Sequence, residues 1–535
     1  MQLNAIQIIL LSCFVAFMAV ETYWWGGCMY IARPIVGGPL VGLLLGDFQT
    51  GLVCGGMIEM VFLGGMSMGA YAPPNSYIGG MVGTALAILS GGNIELGVAL
   101  AYPIGLIVQQ LNYVVTNLNQ IWVVRMEKCA AEANERGITF YTLMCIFTRA
   151  FIQYFLPTAI GLFAGSEVIS TFYENLPQWI TRGLSVAAGL LPAIGLASIV
   201  NTLGIKKGWP YFVIGFVLST YLKMNTMSIA LIGLALAMVI YQITTKDEGL
   251  GLQFDESKAH KGVLDDSILR KIFFRSFASM GGFNYKSYNA PGFLYSEIPG
   301  LKKIYEGEEE KYREALVRNT EFHNTHPFFK NLIIGVALAM EEENANDDNF
   351  DVKMISSTKA ALMGPLAGIG DSVFQGVFRV LFSAIGAGLA INGNVAGPVI
   401  YTIANFCLAW GTRWYFLKYG YKYGVELVAR LKSSDLFQKF VDGATIVGMM
   451  VMAAMVSTTV SLKLKPEWVY VEATETAAAK SFTLQSIFDG ILPNLVPLLV
   501  TFIMYKIMKK YKNGIYYCLF GSFIIAFIGV IIGLF

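Results

Sequence analysis

The chain has 535 residues, of which 55% are hydrophobic and only 14% charged, with a mean hydropathy of +0.57. That much apolar surface excludes an ordinary soluble domain and points to a bilayer. A net charge of +2 gives no basis for a nucleic-acid partner, and the basic residues cluster beside apolar spans, where they act as topology signals.

Residues 5–24 form a first span with no basic residue before Arg33, so a cleaved secretory signal is not expected and the helix should stay. Apolar segments follow near 31–46, 52–70, 77–92, 95–117, 139–165, 184–204, 209–222 and 226–243. Several are too short or too glycine-rich to cross roughly 30 Å of hydrocarbon. Such pieces are expected as re-entrant hairpins or broken helices shielded by protein or a wet cavity. Residues 120–137 read as an amphipathic cytoplasmic helix or loop, with Arg125, Lys128 and Arg136 favouring the inside.

Residues 1–244 hold only eighteen charged side chains, whereas 246–359 are dense in them. Residues 246–266 have the composition of a linker, dividing a membrane domain (1–245) from a second domain (267–535) by a cytoplasmic join. Short amphipathic helices are expected over 268–318, then apolar segments near 328–340, 355–370, 376–391, 395–410, 440–461, 489–508 and 514–535. The basic turn at 506–514 should face the cytoplasm. That puts 463–485 outside, as one small β-like excursion.

Seven cysteines stand singly, without a CxxC or a pairing scheme, which argues against a zinc cluster or disulfide framework. His323 and His326 are three apart and would share a helix face, but a metal site needs further ligands, so none is expected and no cofactor is implied. The acidic run 340–351 lacks the glycine an EF-hand requires. No GxxxxGK[ST] string is present, so direct use of ATP is not expected.

The strings GGPLVGLLLGDFQ (37–49) and MGPLAGIGDSVFQ (363–375) share one grammar: Gly-Pro-Leu-x-Gly, an apolar spacer, then Gly-Asp and a nearby Gln. Gly38, Pro39, Gly46 and Asp47, and again Gly364, Pro365 and Gly370, are read as helix breaks of a repeated device. Transporters bring such paired breaks together at mid-bilayer. Asp47 and Asp371 either cap helices or serve a substrate, since an acid at that depth is costly. The expected fold is an all-α polytopic membrane protein of two structurally related halves with broken or re-entrant helices, on the pattern of inverted repeats.

The run LGDFQTGLVCGGMIEMVFLGGMSMGAYAPP (45–74) resembles the IIC subunit of mannose-family phosphotransferase system (PTS) permeases, and the likeness extends over residues 1–245. The second half resembles the IID subunit through FFRSFASMGGFNYKSYNAPGFLYSEIPGLKKIY (273–305), EFHNTHPF (321–328), MGPLAGIGDSVFQG (363–376) and ILPNLVPLLVTF (491–502). Where relatives read Met-Asn-x-Gly and Pro-Asp, this chain has Met66-Ser67-Met68-Gly69 and Pro74-Asn75.

The resemblance implies uptake of a hexose or amino sugar across the bacterial cytoplasmic membrane, with phosphorylation by separate soluble IIA and IIB proteins. No phosphoryl-carrying residue is expected on this chain. It also implies a homotrimer in membrane lipid and use by bacteriocins as a receptor. A hexose asks for side chains that donate and accept hydrogen bonds beside an apolar wall. Gln7, Glu59, Ser67 and Asn75 offer this in the first half, and Asn324, Asp371 and Gln375 in the second. For Glu59 the competing role is a buried pair with Arg33. An ion-coupled secondary transporter using Asp47, Glu59 and Asp371, or a membrane receptor or scaffold, are the alternatives.

Overall fold

A computed structural model describes residues 3–63, 73–163, 177–203, 205–244, 260, 262–433, 435–471, 480–511 and 514–535. Among these, eight helices are long and apolar enough to cross a membrane. A ninth span arises if Leu484–Ile491 and Leu495–Lys510, bent by 80°, count as one. Asn494, in the left-handed region at φ 60°, makes that corner. The strands Glu467–Val471 and Lys480–Thr483 pair antiparallel, in the region expected to make a small β excursion. The rest of the regular structure is helical, so the protein is an all-α, multi-pass membrane protein. Most of the linker (245–259 and 261) and Ser67 lie outside the described residues.

Helices Pro34–Leu45 and Phe48–Phe62 rise only about 18 and 22 Å, too little to span, and they fold back on each other as a hairpin. Gly46 turns the chain at φ 81°, and Asp47 caps the second helix by accepting from Thr50 N at 3.0 Å. The hairpin closes glycine to glycine through two GxxxG pairs, Gly38/Gly42 and Gly51/Gly55. A Cβ on Gly38 would lie 2.7 Å from Gly55 Cα, and one on Gly55 would lie 2.4 Å from the Pro34 carbonyl oxygen. Backbone cannot retreat as a flexible side chain can. Gly55→Leu should therefore cost at least ~3 kcal/mol, read as a lowered thermal midpoint in detergent. Gly46→Ala meets only left-handed backbone strain, with open space around the new methyl, and should cost about 1–2 kcal/mol.

The second string behaves differently. Lys353–Gly370 continues through a π turn, Asp371–Phe378, into Arg379–Ile391, one rod of 39 residues. Gly364 and Pro365 lie inside it and do not break it, as Gly38 and Pro39 lie inside the Pro34–Leu45 helix. A helical proline removes one backbone hydrogen bond, and here the ladder shifts register in the following π turn rather than ending. Gly370 serves close approach instead, because a Cβ there would sit 2.2 Å from His326 Cβ. Of the residues read as breaks, only Gly46 and Asp47 mark one.

Helix Ile94–Ala131 has 38 residues, about 57 Å, and so extends beyond the hydrocarbon. Residues 120–137 are its end plus the turn at Ala133 (φ 51°) into Glu135–Arg149. Lys286 and Lys302 bridge to Glu127 and Glu135 at 2.7 and 2.8 Å. They dock the amphipathic helices Ala290–Ile304 and Glu309–Arg318 against this end.

The halves interlock. Ile205–Thr220 and Thr226–Thr244 pack on Asp435–Thr459, where the Ser219 and Ser457 hydroxyls meet at 2.7 Å. Gln178–Leu203 packs on Leu495–Lys510 and Gly514–Ile531, and Phe48–Phe62 on Arg379–Ile391. The main apolar core accordingly mixes Met60, Leu191 and Phe216 with Val380, Met450 and Met455.

Candidate functional site

Both halves enclose one polar cavity of about 520 Å³, a size suited to a small ligand. The first half supplies Thr22, Tyr30, Arg33, Asn75, Gln109 and Gln153, and the second supplies Asn289, Asn324, His326, Asp371, Gln375 and Arg379. Phe62, Phe283 and Tyr288 add aromatic wall. Neutral amides, hydroxyls and rings outnumber charges here.

Local structure explains how these groups are held. Asn75 caps the Ser76–Leu89 helix, its Oδ1 accepting from Ile78 N at 3.0 Å. Asparagine caps as well as aspartate does, so Asn75 after Pro74 secures this helix start. Arg149 is buried without a carboxylate partner among the described residues. It donates to Asn112 Oδ1 at 2.5 Å and Gln153 Oε1 at 2.6 Å and lies 4.3 Å over the Tyr23 ring. Each amide oxygen thus has one lone pair engaged by Arg149, and both side chains keep their N–H groups as donors.

On the rod, Ala367, Asp371, Gln375 and Arg379 line the cavity at four-residue spacing. Gln375 Nε2 donates to Asp371 Oδ1 at 3.4 Å. Arg379 is buried over the Tyr30 ring at 5.7 Å, and its Nη2 has no partner.

Four of the sequence candidates therefore meet in one place: Asn75, Asn324, Asp371 and Gln375. Glu59 does not line the cavity. It is fully buried and accepts from Arg33 Nε at 2.7 Å, while Arg33 itself reaches the wall. Gln7 is exposed in the first turn of Ala5–Ala19, completing a capping box with Asn4, and is not on the cavity wall. Asp47 is at the hairpin corner rather than the cavity. Sequence reasoning passed over Arg33, Gln153 and Arg379. The four-residue stripe 371, 375, 379 and the polar row Gln109, Asn112, Thr116, Asn119 in an apolar helix carried that signal.

His323 and His326 lie in the loop before helix Pro327–Asn346, not on a shared helix face. His326 caps that helix, its Nδ1 accepting from Phe328 N at 3.3 Å, and stacks on Phe374. Outside the candidate spans, burial drives both imidazoles toward the neutral form, His326 down to about 3 and His323 well below its ordinary value, with neighbouring cations adding to the effect.

Unfolded imidazoles take up protons near pH 6.5 and these do not. Stability is therefore full above pH 6.5 and falls below it by roughly 1.4 kcal/mol per pH unit per histidine. The loss from His326 continues toward its folded value. Thermal midpoints measured from pH 7 to 5 should drop, and His323→Gln should flatten that slope. An unchanged slope would contradict the burial argument.

Residues 5–239 match the family of PTS sorbose-specific IIC components, and residues 263–535 match the PTS mannose/fructose/sorbose family IID components. The mannose-specific EIID component of Escherichia coli K12 is 36% identical over 271 residues, covering 51% of this chain and 95% of that protein. The fructose permease IIC component of Bacillus subtilis 168 is 29% identical over 249 residues, covering 46% and 91%. A solved mannose transporter ManYZ complex with Microcin E492 is 35% identical, covering 51% of this chain and 99% of that one at a TM-score of 0.30. With a IIC-type first half, a IID-type second half and a polar cavity between them, the chain belongs to the mannose/fructose/sorbose family of PTS membrane sugar permeases.

Proposed function

We propose that the cavity between the halves holds a hexose or amino sugar on its way inward. The observation carrying this reading is that amides, hydroxyls and rings from both halves converge there, the set a ring of hydroxyls with an apolar face requires. Asn75, Asn324, Asp371 and Gln375 are its sugar contacts, joined by Arg379. Ser67 remains a candidate from sequence.

IIC and IID components work with IIA and IIB proteins. A phospho-IIB at the inner face passes its phosphoryl group to a sugar hydroxyl, and the resulting dianion cannot favourably return through an apolar gate. The division at residues 246–266 keeps the IIC-like and IID-like parts as two sequence units. A homotrimeric assembly and recognition by a bacteriocin follow from the resemblance alone.

The test is the chain in sealed vesicles, challenged with several hexoses and amino sugars. Sugar phosphate should appear inside only when IIA, IIB and a phosphoryl source are enclosed. Concentrative uptake without them, driven by a proton or sodium gradient, would overturn the reading.

A further inference from the structure

Beside the sugar cavity lies a second, of about 750 Å³, and the two share Asn324 and Ala367 in their walls. One face of the rod runs through both. At 100° per residue, positions 353, 356, 357, 360, 364, 367 and 371 fall within about 60° of a single line. Gly364, midway, faces open space with nothing within 4 Å of a would-be Cβ.

The second cavity takes into its wall Phe293 of helix Ala290–Ile304 and Asn319, which ends helix Glu309–Arg318, the part docked on the Arg125–Arg136 turn. The basic residues of that turn mark the inside. The loop 323–326 stands between the two cavities, with Thr325 Oγ1 donating to the Met363 carbonyl at 3.4 Å.

Among the described residues, the ionisable groups in this chamber's wall make no ion pair with one another. His323 is 2% exposed, stacks on Phe293 at 3.9 Å, and neither ring nitrogen has a hydrogen bond. Lys359 is 5% exposed and donates to Asn319 Oδ1 at 2.6 Å, yet it makes no ion pair among the described residues. Of the acids near Lys359, Glu341 is taken by Arg318 at 2.6 Å. Glu297 is buried with both oxygens unpartnered, and burial raises its carboxyl well above the ordinary range, toward the neutral acid. Lys353, Ser356 and Ser357 line the chamber farther out, where Glu321 is the one opposing charge on the wall. The acids Glu297, Glu341 and Glu321 act on Lys359 only from beyond ion-pair distance, and a buried ammonium without a carboxylate in contact is costly unless a ligand supplies the negative charge.

We propose that this chamber is the inner station of the sugar path and that Lys359 and His323 bind the phosphoryl group of the sugar phosphate before its release. The proposal rests on the reading of the first cavity as the sugar site. The chemistry recognised is a phosphate monoester dianion carried on a sugar, with Phe293 as apolar wall. Lys353 and Ser357 give the departing dianion a second contact.

The test uses the full chain in lipid nanodiscs, titrated with mannose, fructose and glucosamine, with their 6-phosphates, and with inorganic phosphate. The wild type should bind the 6-phosphate of its preferred sugar at least tenfold more tightly than inorganic phosphate. Lys359→Gln should weaken that binding at least tenfold and leave the free sugar within twofold, with Lys359→Arg restoring most of it. If Lys359→Gln does not fold, Lys353→Gln should still weaken the 6-phosphate about threefold and spare the free sugar.

Equal weakening of sugar and sugar phosphate, or equal affinity for inorganic phosphate, overturns the proposal. A wild type that binds free sugar but no 6-phosphate also overturns it, leaving the first cavity's role intact. Binding of the 6-phosphate without free sugar supports the chamber and overturns the reading of the first cavity.

Discussion

Glu59→Ala is expected to cost the folded protein about 3–5 kcal/mol, because it strands a fully buried guanidinium. Arg33 and Glu59 meet at 2.7 Å with both side chains almost wholly out of solvent, so neither can turn to water when its partner is removed. The same logic predicts recovery: Arg33→Met with Glu59→Leu removes both charges and should regain most of the loss. The comparison is made on thermal midpoints of the extracted protein. If the double variant is as unstable as Glu59→Ala, the pair is not what Glu59 serves, and its role as a sugar contact returns. Because Arg33 also reaches the cavity wall, the double variant should fold yet bind sugar more weakly.

Asp371→Ala should lower sugar phosphate formation in donor-loaded vesicles by roughly 10- to 150-fold, the worth of one hydrogen bond to a charged group. Asp371 lies on the cavity wall, and its position on a continuous helix means the backbone does not depend on its side chain. Arg379→Met, which removes the guanidinium whose Nη2 has no partner, should have a similar effect. Asp47→Asn is the control. It caps a helix at the hairpin corner, asparagine caps equally well, and uptake should stay within twofold. Equal losses from Asp47→Asn and Asp371→Ala would restore the idea of twin acids acting on one substrate.

That contrast shows how far the sequence could be read. Length and glycine content gave the expectation of short, broken or re-entrant pieces in this half, and the hairpin of 12- and 15-residue helices, too short to span, is one of them. The basic turns carry the expectation of an inner face for a similarly local reason. The two Gly-Pro-Leu-x-Gly strings looked equivalent, yet one turns a corner at Gly46 and the other runs on through a π turn. The difference lies in what each string meets: the next helix, through Gly51 and Gly55, folds back on the first, whereas His326, distant in sequence, presses on Gly370 of the second.

Site residues followed the same rule. Asp371 and Gln375 could be picked by their spacing, as could Asn75 by its place after a proline pair. Glu59 could not be separated from Arg33, because their pairing spans 26 positions. Arg149, which orders two cavity amides, acts through a helix 37 positions away from one of them, a relation no local pattern records.

The core shared by the two halves bears on how the protein is made. Each half buries part of its apolar surface only against the other, since helices of each are packed on the other. A join of about twenty residues holds the partners at millimolar effective concentration. Synthesis on one polypeptide thus supplies them in equal number and at the same moment, and leaves no orphan subunit for quality-control proteases to clear.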